Sequence, residues 1–218
     1  MDGVSFGTFH SYEDLHLILE PFTPTPATPQ LNLLKIPGRD GLLDLTAANG
    51  EVKYNSREFT FNFTVAPDYN GKNFDAIASE VSNALNGLRC SIRLDRDADY
   101  FWHGRCSVDK YEQDKNIKRI VVKAVVDPYK YKVAVQNQTG TLSAEKTATI
   151  ACVNGGKMTT VPRIQCQAAG VIAQFNGVTY TLNAGFNTIP GIRFVKGRNF
   201  LYMKGNGTVT IEWQEGDL

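Results

Sequence analysis

The residues with the chemistry to form a site are few and scattered. Asp95, Asp97 and Asp99 alternate in "DRDAD" and could offer three carboxylates to a cation. A calcium loop of that kind needs glycine at its sixth position and a bidentate glutamate at its twelfth. Counted from Asp95, those positions hold Tyr100 and Cys106, so the stretch is expected to be a polar turn capping a hairpin. His103, beside Trp102, could work as a base only if a nucleophile approached it in space, and is expected to be one position of a strand. Cys90, Cys106, Cys152 and Cys166 include no CxxC pair, and the three histidines (His10, His16, His103) do not cluster with them, so no structural zinc is expected. The thiols are expected to be reduced and packed as small hydrophobes; Cys90 and Cys106 are placed to face each other across a hairpin, bridged or not. Paired carboxylates could in principle hydrolyse a glycoside, yet these acids sit on turns and strand edges where nothing would raise one pKa. Walker, GxSxG, GxGxxG and HExxH patterns are absent. No catalytic residue, cofactor or metal is expected.

Charge narrows the partners. Residues 1–130 carry 15 Lys/Arg against 18 Asp/Glu, and residues 131–218 carry 8 against 4, for a net charge of +1. Neither half has the basic excess of a protein that grips phosphates, so direct nucleic-acid binding is not expected. No apolar run approaches the ~20 residues of a membrane-spanning helix. The opening residues lack a basic stretch followed by an apolar one, so no secretory signal is expected.

The elements that must position these residues read mostly as β. "FTFNFTV" (59–65) alternates with period two, which puts its aromatics on one buried face. "CSIRLDRDADYFWHGRCSVDKY" predicts two strands around an acidic turn at Asp95–Asp99. "YEQDKNIKRIVVKAVVDPY" predicts a second pair that turns at Asp114–Asn116 and ends at Asp127-Pro128. One helix is predicted over "NFDAIASEVSNALNGL", where Phe74, Ile77, Ala78, Val81, Leu85 and Leu88 recur along one side. Asn73 suits its N-cap, Asp75 its positive end and Gly87 a left-handed C′ position. Beyond Pro128 the chain turns rich in Thr, Val, Ala and Gly. Asn176-Gly177 predicts a tight hairpin, and two more strands flank Gly205-Asn206-Gly207, a texture expected of a sandwich. The boundary is expected near 128–135, giving domains 1–130 and 131–218.

One segment fits none of these. "PFTPTPATPQ" carries Pro21, Pro24, Pro26 and Pro29, each of which fixes φ and removes a donor. It is expected to be a semi-rigid extended arm whose backbone is satisfied on a neighbouring subunit. The following "IPGRDGLLDLT" holds Arg39 and Asp40 in a turn, and Arg39 could fork onto a carboxylate of an adjacent chain.

Several stretches together resemble the distal tail (Dit) proteins of long, flexible-tailed bacteriophages. "DGVSFGTFHSYEDLHLIL", "IPGRDGLLDLT" and "GEVKYNSREFTFNF" resemble that family's N-terminal part. "LDRDADYFWHGR" resembles its Asp-rich turn, "DPYKY" its domain junction and "GTVTIEWQEGDL" its last strand. The resemblance implies a mainly β fold: an N-terminal ring-forming β-sandwich with one helix and an extended arm or hairpin, then a C-terminal galectin-like β-sandwich. It implies a homo-hexameric hub, as one ring or two stacked rings, at the distal end of a tail. Such a hub joins the tail tube protein to a tail-tip or tail-associated lysin protein and to receptor-binding or baseplate proteins. DNA crosses it only in transit, no membrane is involved, and assembly takes place in the host cytoplasm. Subunit-interface candidates are then Pro21, Pro24, Pro26, Pro29, Arg39 and Asp40, with Tyr100, Phe101, Trp102 and Arg105. The second domain could alternatively bind host carbohydrate through Tyr180, Phe186 and Tyr202. It lacks the galectin runs His-x-Asn-x-Arg and Trp-Gly-x-Glu-x-Arg, so docking to other tail components is expected instead.

Overall fold

A computed structural model describes residues 3–48, 50–66, 72–114 and 117–218. The chain is mainly β and divides into two compact units, Met1–Lys130 and Tyr131–Leu218.

In the first unit the strands are β1 (Val4–Phe6), β2 (Phe9–His10), β3 (Leu17–Leu19), β4 (Leu33–Lys35), β5 (Leu42–Asp44), β6 (Arg57–Val65), β7 (Arg89–Leu94), β8 (Tyr100–Gln113) and β9 (Lys118–Val126). Seven of them hydrogen-bond in the order β2-β1-β7-β8-β9-β6-β3. Their alternation is the cause of the core. Along β6 the side chains of Arg57, Phe59, Phe61, Phe63 and Val65 point inward, and the residues between them face out. Phe6, on β1 near the other end of that sheet, meets Phe61 edge-on at 5.4 Å, so the sheet curls until its ends share one core. Trp102 sits there too, with its ring 5.2 Å from Phe59.

The single helix among the described residues, α1 (Phe74–Leu85), lies against β8 and buries Phe74, Ile77, Ala78, Val81 and Leu85. Asn73 caps it by accepting the Ala76 N–H at 2.9 Å, and Gly87 adopts φ +80°, which favours glycine. Leu88 lies past the helix and packs against the core as a partly buried neighbour. What reads as two separate strands before and after Tyr111 is one strand: β8 runs through 14 residues and accommodates its length with an irregularity between Val108 and Lys110. Asp114 donates its N–H to the Ile117 carbonyl at 2.9 Å; the rest of the expected turn, Lys115 and Asn116, lies outside the described residues.

The boundary falls inside β10 (Lys130–Lys132), whose last two residues open the second unit. It continues through β11 (Gln136–Leu142), β12 (Ala148–Asn154), β13 (Arg163–Cys166), β14 (Val171–Phe175), β15 (Val178–Leu182), β16 (Gly185–Thr188), β17 (Gly197–Lys204), β18 (Gly207–Trp213) and β19 (Gly216–Asp217). Two four-stranded antiparallel sheets, β11-β18-β13-β16 and β12-β17-β14-β15, bury their inner faces against each other as a β-sandwich. Ile164, Cys166, Val209 and Ile211 come from one sheet; Cys152, Ala173, Leu201 and Met203 come from the other. Asn176 and Gly177 both take positive φ (48° and 81°), as a tight two-residue hairpin turn between β14 and β15 demands.

The four cysteines are free. The neighbouring Cys106 thiol holds the Cys90 pKa below its ordinary value, while Cys90 and burial push Cys106 up. Burial pushes Cys152 up to about 12 and also raises Cys166. The expected result of limiting iodoacetamide is therefore a single alkylation at half-buried Cys90, with a rate inflection at lower pH than that of an ordinary thiol. Peptide mapping across a pH series checks it.

Candidate functional site

The sequence-derived candidates separate into three groups in space. The first is the acidic turn. Asp95–Asp97 form a short 3-10 turn whose polar groups are spent on structure. Asp95 Oδ2 lies 3.1 Å from His10 Nε2, and His10 Nδ1 accepts the N–H groups of Tyr12 and Glu13, which leaves the ring proton on Nε2 to donate. Asp97 pairs with Lys130 at 2.7 Å, and that ammonium lies 4.1 Å from the centre of the Tyr100 ring. Arg96 donates to the Phe22 carbonyl at 2.6 Å. Among the described residues, no group of three or more His, Cys, Asp or Glu could hold a metal ion.

On the strand beyond, His103 faces out against the Phe101 ring at 5.0 Å, and Arg105 donates to the Gly87 carbonyl at 2.6 Å. Trp102 is different. At 3% exposure it belongs to the core of its own unit and has no surface to give to a second copy. Strand alternation explains this: Trp102, Gly104 and Cys106 point inward while His103 and Arg105 point out.

The proline segment departs from expectation. Its backbone is bound by its own unit, not left for a neighbour. Phe22 inserts into the core, with its ring centroid 4.4 Å from that of Phe61 and 5.5 Å from that of Phe59. Thr25 is held from both directions: its hydroxyl donates to the Glu58 carbonyl at 2.8 Å, and its carbonyl accepts from Arg57 Nε at 2.5 Å. Further along, the Asn55 N–H reaches the Thr28 carbonyl at 2.9 Å and the Gln30 N–H reaches the Lys53 carbonyl at 2.8 Å, around a bridge between Pro29 and Tyr54. The prolines are tolerated because the donors they lack are not needed: main-chain carbonyls and the N–H of Gln30 make the bonds. Arg57, 7% exposed, anchors this region by also reaching the Pro128 carbonyl and lying over the Phe59 and Trp102 rings; burial lowers its pKa, though an arginine stays charged.

What does lack support at home is the ribbon that follows. Among the described residues β4 and β5 pair only with each other, in the register Leu33–Asp44, Leu34–Leu43 and Lys35–Leu42. Side bonds close its base: Asn32 N–H to Thr46 Oγ1 at 3.0 Å and Leu45 N–H to the Asn32 carbonyl at 2.8 Å. Thr46 also bonds the Asp44 carboxylate and holds its pKa below the usual carboxylate range. Gly38 and Gly41, at φ +77° and +75°, bracket Arg39 and Asp40 at the exposed tip.

The register puts Leu33 and Leu42 on one face of this ribbon and Leu34 and Leu43 on the other, so no orientation gives it a wholly polar outside. Leu31, Leu33, Leu34 and Leu42 are 64%, 44%, 50% and 53% exposed. An isolated two-stranded ribbon is at best marginally stable in water, and leucines on both faces with free strand edges are what a mating surface offers. Sequence reading placed the contact in the prolines and in the turn of Arg39 and Asp40; the observed apolar surface begins at Leu31 and runs along the ribbon that carries that turn.

No protein-family model matches the chain, and no curated protein sequence matches it. A solved structure does. SPP1 Dit (gp 19.1), described as a paradigm of hub adsorption apparatus in phages that infect Gram-positive bacteria, superposes with a TM-score of 0.70 over 100% of both chains at 14% identity. This chain has the Dit fold. The shared architecture covers both units, from the curled sheet with its one helix to the second sandwich. The Dit neighbour is described as a hub protein, not as an enzyme.

Proposed function

We propose that the chain is a structural protein of a phage tail, the hub at its distal end. The observation that carries this is the full-length correspondence with the SPP1 Dit fold. In this reading six copies close into a ring through the first unit, and the ring joins the tail tube to tail-tip or baseplate proteins around a channel for DNA. A ring needs two different surfaces on each subunit, one to receive what the other presents. The β4–β5 ribbon, with leucines on both faces and Arg39 and Asp40 at its tip, is the presented surface. Tyr100, Phe101 and Arg105 remain candidates for the receiving side, and the exposed prolines Pro21 and Pro26 for its margin. The second unit then serves as the galectin-like module that meets other tail components. The protein acts in the virion after assembly in the host cytoplasm, without a cofactor.

Native mass spectrometry and negative-stain microscopy of the full chain test the reading. The expected result is a closed ring of six copies, alone or as a stacked pair. A protein that stays monomeric at the highest soluble concentration, and does not close when tail-tube protein is added, overturns it.

A further inference from the structure

The second sandwich carries a cavity of about 350 Å³ on the outer face of the sheet β12-β17-β14-β15. Three outward residues of β17 (Arg198, Phe200 and Tyr202) run along it at alternate positions. Register puts Gln174 of β14 beside Tyr202, and the following turn adds Asn176. Phe200 and Tyr202 are 43% and 44% exposed although their strand neighbours Leu201 and Met203 are fully buried. Arg193 lines the same hollow and, among the described residues, spends only its Nε, on the Pro190 carbonyl at 3.1 Å, so its terminal nitrogens stay available.

Charge gives the site its sign. The second unit has 8 Lys/Arg against 4 Asp/Glu, and none of the four acids lines the cavity. Glu212 is taken by Arg163 at 2.7 Å, Glu215 by Lys132 at 3.2 Å, and Asp217 accepts the Lys157 N–H at 3.0 Å. Two guanidinium groups therefore face this hollow with no carboxylate from its walls to neutralise them.

We infer that this face binds an acidic saccharide, a sugar that carries a carboxylate or a phosphodiester. The hydrocarbon face of a sugar ring lies on Phe200 and Tyr202, which are flat, apolar and open to solvent. Gln174 and Asn176 offer amides to ring hydroxyls, while Arg193 and Arg198 fork onto the acid. The volume falls within the range of small-ligand sites. A peptide anchored by aliphatic side chains fits less well, because guanidinium and amide groups are spread around the hollow and leave no dry groove. The inference does not depend on the hub reading, since an isolated monomer presents the same face.

Calorimetric titration of the full chain tests it with four probes: a galacturonic acid oligosaccharide, a phosphomannan, a neutral glucan oligosaccharide of matched length, and polyglutamate. At least one acidic glycan is expected to bind, with affinity falling as salt rises, and the neutral glucan at least tenfold more weakly. Arg198→Gln and Tyr202→Ala are each expected to weaken binding by about tenfold without shifting the melting temperature, because both side chains are exposed. Arg163→Gln, on the other sheet, should leave binding unchanged. Failure of both acidic glycans, equal binding of the neutral glucan, tighter binding of polyglutamate, or indifference to both cavity substitutions overturns the inference.

Discussion

Leu34→Asp combined with Leu42→Asp is expected to abolish assembly while leaving the folded subunit intact. Both leucines are about half exposed in the single chain and sit on opposite faces of the β4–β5 ribbon, so neither change removes core packing. In the proposed ring each residue would go from water to an apolar contact. Leucine there contributes roughly 1.5–3 kcal/mol when fully buried, and a carboxylate in its place adds a desolvation cost of similar or larger size. Half-exposed leucines supply only part of that gain, so about 3 kcal/mol per interface is a conservative loss for the pair, more than 100-fold in association. A closed ring repeats the loss at every interface. Sedimentation velocity should show monomers at concentrations where the proposed function has the unmodified protein form rings, with a melting temperature unchanged within about 2 °C. Rings that form at the unmodified concentration would remove the ribbon from the interface.

How far the fold could be read from the sequence depended on whether a signal was local. The helix was legible because its cap, apolar stripe and left-handed glycine all lie within Asn73–Gly87. The hairpin at Asn176-Gly177 was legible because two positive φ values in succession require such residues. The proline segment was misread because its partners are remote: Glu58 and Arg57 are 33 and 32 residues from Thr25, and Arg96 is 74 from Phe22. Bonds between side chains and a proline-rich main chain leave no periodicity to find. Prolines announce an extended path but not which chain it follows.

The candidate sites show the same division. The inward direction of Trp102 was present in the alternation of "YFWHGRC", where period two sorts tryptophan with glycine and cysteine. The outward direction of Phe200 and Tyr202 was not. In "NFLYMK" both parities are apolar, and only pairing with β12 and β14 decides which set faces the core. Leucines on both faces of the ribbon likewise leave no period-two signal, and pairing alone shows that no second sheet among the described residues covers them.

Phe22→Ala separates a proline segment that belongs to its own domain from one that serves a neighbour. If the segment reached across to another subunit, truncating Phe22 would weaken assembly and leave the monomer's stability alone. The structure instead puts this ring inside the first unit at 9% exposure, between Phe59 and Phe61. A phenylalanine removed from such a core costs about 3–5 kcal/mol, from lost burial and from the cavity left behind. For a unit of this size each kcal/mol lowers the melting temperature by about 3–5 °C, so a drop of 10 °C or more is expected in the dilute monomer. Deleting Pro21–Gln30 should be worse, because it also strips Arg57 and Arg96 of the carbonyls they hold. Replacing Leu33–Asp44 by a short glycine linker should do the opposite: it removes assembly and spares the melting temperature, since among the described residues the ribbon pairs only with itself. Differential scanning calorimetry of the three variants at low protein concentration tests the contrast. A Phe22→Ala monomer that melts with the unmodified chain would show that the prolines are an arm after all.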